Sequence, residues 1–175
     1  MILIGLGSNL TTGEFSSSKA ILDAAIAALN DHGINVLKCS RFYETEPVPK
    51  SDQPWFVNAV ISVKTDFNAH ELLKKMHNIE HNLGRVRRNR WEARIIDLDL
   101  LCFSNIILPS PDEWGEVASK MTSTEVIIPH ARMHERDFVL IPLADISTEW
   151  MHPILNKNVT TMLKEQKSSG IVRLL

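Results

Sequence analysis

Residues Trp55 to Gly84, WFVNAVISVKTDFNAHELLKKMHNIEHNLG, change hydrophobic period part-way along. Trp55 to Thr65 is rich in β-branched and aromatic residues and reads as a central strand. From Asn68 the period turns helical, with Leu72, Leu73, Met76, Ile79 and Leu83 forming an apolar face. Asn68-Ala69-His70-Glu71 reads as a capping-box variant that opens the helix, and Gly84 ends it. A strand running into a helix is half of a repeated unit. The flanking sequence supplies the other pieces.

Downstream, Ile95 to Phe103 is an apolar run that reads as a strand. Upstream, Met1 to Leu6 reads as a buried strand ended by Gly7-Ser8-Asn9. Ser16, Ser17 and Ser18 offer N-caps for a helix bearing Ile21, Leu22, Ala25, Ile26 and Leu29, with Gly33 as its stop. Ile34 to Phe42 reads as a strand, and the proline-rich Glu44 to Pro54 as a loop. The order strand–helix–strand–strand–helix–strand predicts an α+β protein. Its core is the ferredoxin-like βαββαβ arrangement, an antiparallel sheet with helices packed on one face. A C-terminal extension follows. Leu108 to Thr124 reads as an extended loop with a possible helical turn at Glu113 to Lys120. Glu125 to Pro129 is a short strand candidate. Arg132 to Leu140 reads as helical, with Pro142 awkward for continuing it. Val159 to Gln166 is a further helix and Ile171 to Leu175 a terminal strand.

The 175 residues suit a single domain spanning 1–175, large enough to bury a core. Net charge is -2, which disfavours a nucleic-acid-coating protein, and no RNP1 pattern accompanies the ferredoxin-like order. The apolar runs all fall short of the roughly 20 residues that span a bilayer. The chain opens directly on a strand, so a cytoplasmic location and no membrane partner are expected. Cys39 and Cys102 lie in strand-like runs and are expected to be buried free thiols. His32, His81 and His152 read as surface residues. Gly5-Leu6-Gly7 is a fragment of a Gly-rich loop without the rest of a phosphate motif.

Positive charge is concentrated rather than spread. Arg85, Arg87, Arg88, Arg90 and Arg94 fall within ten residues together with Trp91, and Asp97 and Asp99 follow. In a strand, residues two apart share a face with Cα atoms about 6.6 Å apart. Two carboxylates so placed can hold a hard divalent cation such as Mg2+, which keeps positions open for phosphate oxygens. The alternative is that the arginines neutralise the pair as ordinary ion pairs. A nucleoside triphosphate explains the surplus of cations as well as the acidic pair. The Asp97/Asp99 face continues toward Leu101 and Phe103, read as buried. Asn58, an amide inside an apolar strand, either bonds neighbouring backbone or reads a ligand edge. Trp91 is placed to stack on a planar ligand or cap a site. His130 is equally a phosphate contact or a satisfied structural residue.

Six blocks recur together in one order. They are Gly7-Ser8-Asn9-Leu10, Glu44 to Val48, Gln53 to Ala59, Glu80 to Arg87, Arg90 to Leu101 and Ile128 to Leu143. In this the chain resembles the 6-hydroxymethyl-7,8-dihydropterin pyrophosphokinases of folate biosynthesis. The resemblance implies transfer of the pyrophosphoryl group of ATP, the co-substrate, to the pterin hydroxymethyl oxygen with release of AMP. It implies two Mg2+ ions held by Asp97 and Asp99, with Arg85 and Arg94 stabilising charge during transfer. Arg87 and Trp91 would belong to a closing lid. Arg90, Trp91, His77, Glu80, Leu100, His130 and Arg136 would serve the nucleotide side. Thr45, Val48, Phe56, Asn58, Trp91 and Phe138 would serve the pterin, with Phe56 and Phe138 sandwiching the ring. A monomer acting on small molecules, without nucleic acid or membrane, is the expectation.

Overall fold

The two apolar runs at Met1 and Trp55 lie side by side in the middle of a six-stranded antiparallel sheet. A computed structural model describes residues 1–85, 93–120, 126–166 and 170–175. Its elements run β1 (Ile2–Ser8), α1 (Ser18–Asp31), β2 (Asn35–Cys39), β3 (Tyr43–Thr45), β4 (Phe56–Lys64), α2 (Ala69–Asn82) and β5 (Asp97–Phe103). Then come α3 (Pro111–Ser119), a 3-10 turn (Met133–Glu135), α4 (Asp137–Ile146), α5 (Val159–Glu165) and β6 (Val172–Leu174). The strand order is β5-β1-β4-β3-β6, and β2 also pairs with β4. Arg87, Arg88, Arg90 and Trp91 lie outside the described residues.

The helix boundaries follow from their caps. The Ser17 side chain accepts the Ala20 N–H, and Gly33 leaves α1 at φ +78. Asn68 and Glu71 form a reciprocal capping box on α2, and Gly84 turns the chain away at φ +93. Both conformations are ones that glycine adopts without a Cβ penalty.

The sheet separates two cores. Ile4, Leu6, Ile61, Leu98 and Leu100 meet α1 and α2 on one face. Leu3, Val60, Leu101 and Cys102 meet α4 and α5 on the other. The expectation of helices on one face is therefore corrected. Residues Val139 to Ile146 are too apolar to be left in water, and they cover the second face. Pro142 sits inside α4 without ending it. The missing bond costs about 3 kcal/mol. Burial of Val139, Leu140, Leu143 and Ile146 at about 1.5–3 kcal/mol each outweighs it.

A bulge in β5 decides which core each of its residues enters. Gly7, Gly5 and Ile4 oppose Asp97, Asp99 and Leu100, but Leu3 opposes Cys102, so Leu101 is the extra residue. Leu101 and Cys102 both enter the α4 core, while Phe103 packs against the α1/α2 core. Phe103 thus does not continue the Asp97/Asp99 face as alternation predicts.

Other expectations shift too. The run Ile34 to Phe42 stops as a strand at Cys39, and β3 starts at Tyr43 and takes in Glu44 and Thr45 of the segment read as a loop. An irregularity between Val36 and Lys38 breaks the alternation, and Cys39 is exposed while Cys102 is buried. The loop read at Leu108 to Thr124 contains α3, capped by Ser110 with a proline in its first turn. Trp114 pins it, donating from Nε1 to the Pro129 carbonyl at 2.8 Å. Of the strand expected at Glu125 to Pro129, residue 125 lies outside the described residues, and the described part holds a single bridge between Leu108 and Ile128. The helix read at Arg132 to Leu140 is split at Arg136 into the 3-10 turn and α4. His152 is fully buried among Trp114, His134 and Trp150. No helix among the described residues is long and apolar enough to cross a membrane.

Candidate active site

The acidic pair stands where the sheet face rises clear of α4. Gly5 and Gly7, opposite Asp99 and Asp97, put no side chain on that stretch of sheet. They are strand residues forming a floor, not the start of a phosphate loop. A Cβ on Gly7 would come within 3.0 Å of Asn58 Oδ1, so the glycine is required by a close approach.

Two cavities meet at this point. The first, about 270 Å³, is walled by Thr45 to Pro49 on one side and by Phe138 and Val139 of α4 on the other. Phe56 and Asn58 of β4 also line it. Asn58 is 7% exposed and donates from Nδ2 to Thr45 Oγ1 at 2.7 Å. That single bond leaves further hydrogen-bonding capacity on the amide. The second cavity, about 420 Å³, lies beside the edge strand β5. Leu73 and His77 of α2 form one wall and Val126 to Ile128 with His130 form another. Asp97, Asp99, Arg94 and Arg136 border both cavities. A reaction between two occupants would take place at this partition.

The charges at the partition are tightly arranged. Arg85 reaches Asp97 Oδ1 at 2.5 Å, and Arg94 pairs with Asp97 Oδ2. Arg136 lies 3.7 Å from Asp99 and stacks over Phe138 at 5.5 Å. Burial pushes the Asp97 carboxyl up, the neighbouring Asp99 charge adds to this, and Arg94 and Arg85 oppose it. Burial likewise lowers Arg136. The neutralising ion pairs considered from sequence are thus present at Asp97, and Asp99 keeps more exposure, at 40% of its side chain. The donor set suits a hard cation, with two carboxylates on one strand face and open space before them. Among the described residues no cluster of three or more potential ligands occurs. An ion here would therefore depend on water and substrate oxygens for its other positions, as Mg2+ tolerates.

His130 borders the second cavity. Burial, and then the Arg136 charge, lower its pKa to about 3. Its Nδ1 accepts the Arg132 N–H at 3.1 Å, so the neutral ring presents Nε2–H as a donor.

Of the residues singled out from sequence, Thr45, Val48, Phe56, Asn58 and Phe138 border the first cavity. His77, Arg85, Leu100 and His130 border the second. Glu80 is a correction, because it forms no part of either wall. It is 1% exposed, pairs with Arg85, and accepts the Leu98 N–H at 2.8 Å. It holds the arginine and the start of β5 from behind. Arg87, Arg90 and Trp91 lie outside the described residues. Asn9, read from the sequence only as part of the stop after the first strand, is a further residue of the site. It is buried, its Oδ1 accepts the Arg94 N–H at 2.7 Å, and its Nδ2 donates to the Pro54 carbonyl at 3.0 Å. It ties together the segments that carry Arg94 and the first cavity. Its place next to the glycine floor was the available signal.

Residues 3–148 match the family model described as 7,8-dihydro-6-hydroxymethylpterin-pyrophosphokinase. The 2-amino-4-hydroxy-6-hydroxymethyldihydropteridine pyrophosphokinase of Bacillus subtilis is 40% identical over 144 residues, covering 82% of this chain and 75% of that one. The enzyme of the same name from Methylorubrum extorquens is 34% identical over 171 residues, covering 97% and 96%. The wild-type HPPK-DHPS structure from Plasmodium falciparum superposes with a TM-score of 0.67 at 16% identity, a likeness of fold. It covers 94% of this chain, which spans only 44% of that longer one.

Proposed function

The chain belongs to the 7,8-dihydro-6-hydroxymethylpterin-pyrophosphokinase family, and from that premise we propose that it transfers the pyrophosphoryl group of ATP to 6-hydroxymethyl-7,8-dihydropterin in folate biosynthesis. The observation carrying this reading is the pair of cavities that share Asp97, Asp99, Arg94 and Arg136. The first, with aromatic residues and a buried amide, suits a flat heterocycle with a hydrogen-bonding edge. The second suits a nucleotide.

The pterin hydroxymethyl oxygen attacks the β-phosphorus, the bond from that phosphorus to the bridging oxygen of the α-phosphate breaks, AMP leaves with that oxygen, and the hydroxyl proton is released to water. Asn58 fixes the heterocycle edge, with Phe56 and Phe138 against its faces. His130 stays neutral and donates from Nε2 toward the nucleotide. Arg85 and Arg94 already stand on Asp97. In the loaded site, held by Asp97, they would face the phosphate oxygens, where prepositioned cations stabilise developing charge. Asp97 and Asp99 would hold two Mg2+ ions, which would neutralise charge on the phosphates. Positioning and neutralisation suffice for this chemistry, and no general base is needed. Arg87, Arg90 and Trp91 belong in this reading to a segment closing over ATP.

We also read the core as a ferredoxin-like split βαβ, since β5-β1-β4 followed by β2 and β3 matches that order. The chain acts as one domain and a monomer in the cytoplasm. The test is incubation with ATP, Mg2+ and the pterin. AMP appearing in step with pterin pyrophosphate supports the activity. A folded protein that binds ATP and releases no AMP overturns it in favour of a silent nucleotide binder.

A further inference from the structure

The last strand lies beyond residues 3–148 that the family model matches. It is an edge strand with little core of its own, since Arg173, Leu174 and Leu175 are exposed. Its contacts nonetheless converge on one wall of the first cavity. Strand β6 pairs antiparallel with β3, placing Leu174, Arg173 and Val172 opposite Tyr43, Glu44 and Thr45. The pairing continues past both ends. Leu175 donates its N–H to the Phe42 carbonyl at 3.0 Å, and Glu46 donates its N–H to the Ile171 carbonyl at 3.2 Å. Arg173 Nε donates to Glu44 Oε2 at 2.8 Å, and the guanidinium lies 4.5 Å over the Trp55 ring. A Cβ on Gly170 would lie 3.8 Å from the Glu46 side chain and 3.9 Å from that of Val48.

Thr45, Glu46, Pro47 and Val48 are the wall of the first cavity opposite α4. Strand β3 has three residues and would be the sheet edge without β6. We propose that β6 is a positioning element for the pterin: it holds the Thr45–Val48 wall in its binding conformation, with Arg173 as the strut between Glu44 and Trp55. This rests on reading the first cavity as the pterin side. A wall without the strut must be ordered as the ligand arrives, and that cost is subtracted from affinity. The second cavity shares no residue with the strut, so nucleotide binding is spared.

The test uses the full chain as Arg173→Ala and Arg173→Pro. The flanking bonds at Glu46 and Leu175 place residue 173 at a hydrogen-bonded position of the ladder, so proline removes a bond there as well as the strut. Titration calorimetry measures the affinity for the pterin and, separately, for a non-hydrolysable ATP analogue; thermal unfolding checks the fold. The expected result is pterin Kd raised about fivefold by alanine and further by proline, with the ATP-analogue Kd changed less than about twofold. KM for the pterin rises while kcat is retained. Equal pterin affinity in wild type and a folded Arg173→Pro overturns the strut. So does parallel loss of both affinities, which is what a general weakening of the fold produces. A wild type that binds no pterin overturns the reading of the cavity, and the strut with it.

Discussion

Replacing His152 by asparagine should flatten the pH dependence of stability, and the size of the effect follows from the geometry. The ring is fully buried, and Nδ1 accepts the N–H groups of Ile154 and Leu155 at 3.3 and 3.2 Å. Nε2 is buried with no hydrogen-bond partner. Burial first, and the neighbouring His134 second, lower the pKa to about 4. In the unfolded chain a histidine titrates near about 6.5. Because the folded value is the lower one, this residue's contribution is fully present above about pH 6.5 and is lost as pH falls toward 4. Between about pH 7.5 and about pH 5 the unfolded chain gains roughly one proton here and the folded chain almost none. At 1.36 kcal/mol per pKa unit, that difference removes about 2 kcal/mol of stability. Such a loss is a substantial part of the roughly 5–15 kcal/mol typical of a domain. Asparagine supplies an acceptor for the turn but cannot titrate. Urea unfolding of both proteins at the two pH values should show wild type losing about 2 kcal/mol more than His152→Asn across the interval. Parallel losses would refute the reasoning.

Three further outcomes test the site. Asp97→Ala and Asp99→Ala should each lower turnover by on the order of a hundredfold or more, with the circular dichroism spectrum retained; full activity in either removes the metal role. Gly7→Ala places a methyl 3.0 Å from Asn58 Oδ1, so the amide must move. Pterin affinity should fall about tenfold, or about 1.4 kcal/mol by calorimetry, and an unchanged Kd would contradict the assigned role of Asn58. Glu80→Ala leaves Arg85 half-paired and the Leu98 N–H unsatisfied in a buried site, at a cost of about 3–5 kcal/mol in denaturant unfolding. A cost below about 1 kcal/mol, the range of an exposed ion pair, would show Glu80 to be solvated.

The parts of the fold that were legible are those where independent local signals agree. Around α2, the change of period, the Asn68–Glu71 box and Gly84 mark the same boundaries, and the helix lies between them. The acidic pair was legible because its two-residue spacing and the strand period coincide. Other features carried no repeating signal. Among the described residues Trp114 is the buried side chain of α3, and a single aromatic in a polar segment makes no period. The burial of His152 depends on the neighbouring Trp150 and on two rings from distant segments, Trp114 and His134. Glu80 was a near miss. It falls on the buried side of α2, four residues after Met76, and a charged residue there signals a buried partner. The floor at Gly5 and Gly7 resembled a loop because glycine weakens a strand, yet here the ladder to β4 and β5 holds it extended. The first cavity arises where α4 stops short of covering the sheet and the second beside the edge strand β5, placements that no local pattern encodes.

The bulge at Leu101 lets β5 tolerate changes in its own length. In an unbroken strand, adding or deleting one residue reverses the face of everything beyond it. Here the reversal is already absorbed between Leu100 and Cys102. The carboxylates upstream keep register with Gly7 and Gly5 through their own pairings. Deleting the extra residue Leu101 would leave Cys102 and Phe103 opposite the same β1 partners and in the same cores. It would leave Asp97 and Asp99 where they are. Core repair and the placement of the charged pair can therefore change separately along a strand only seven residues long.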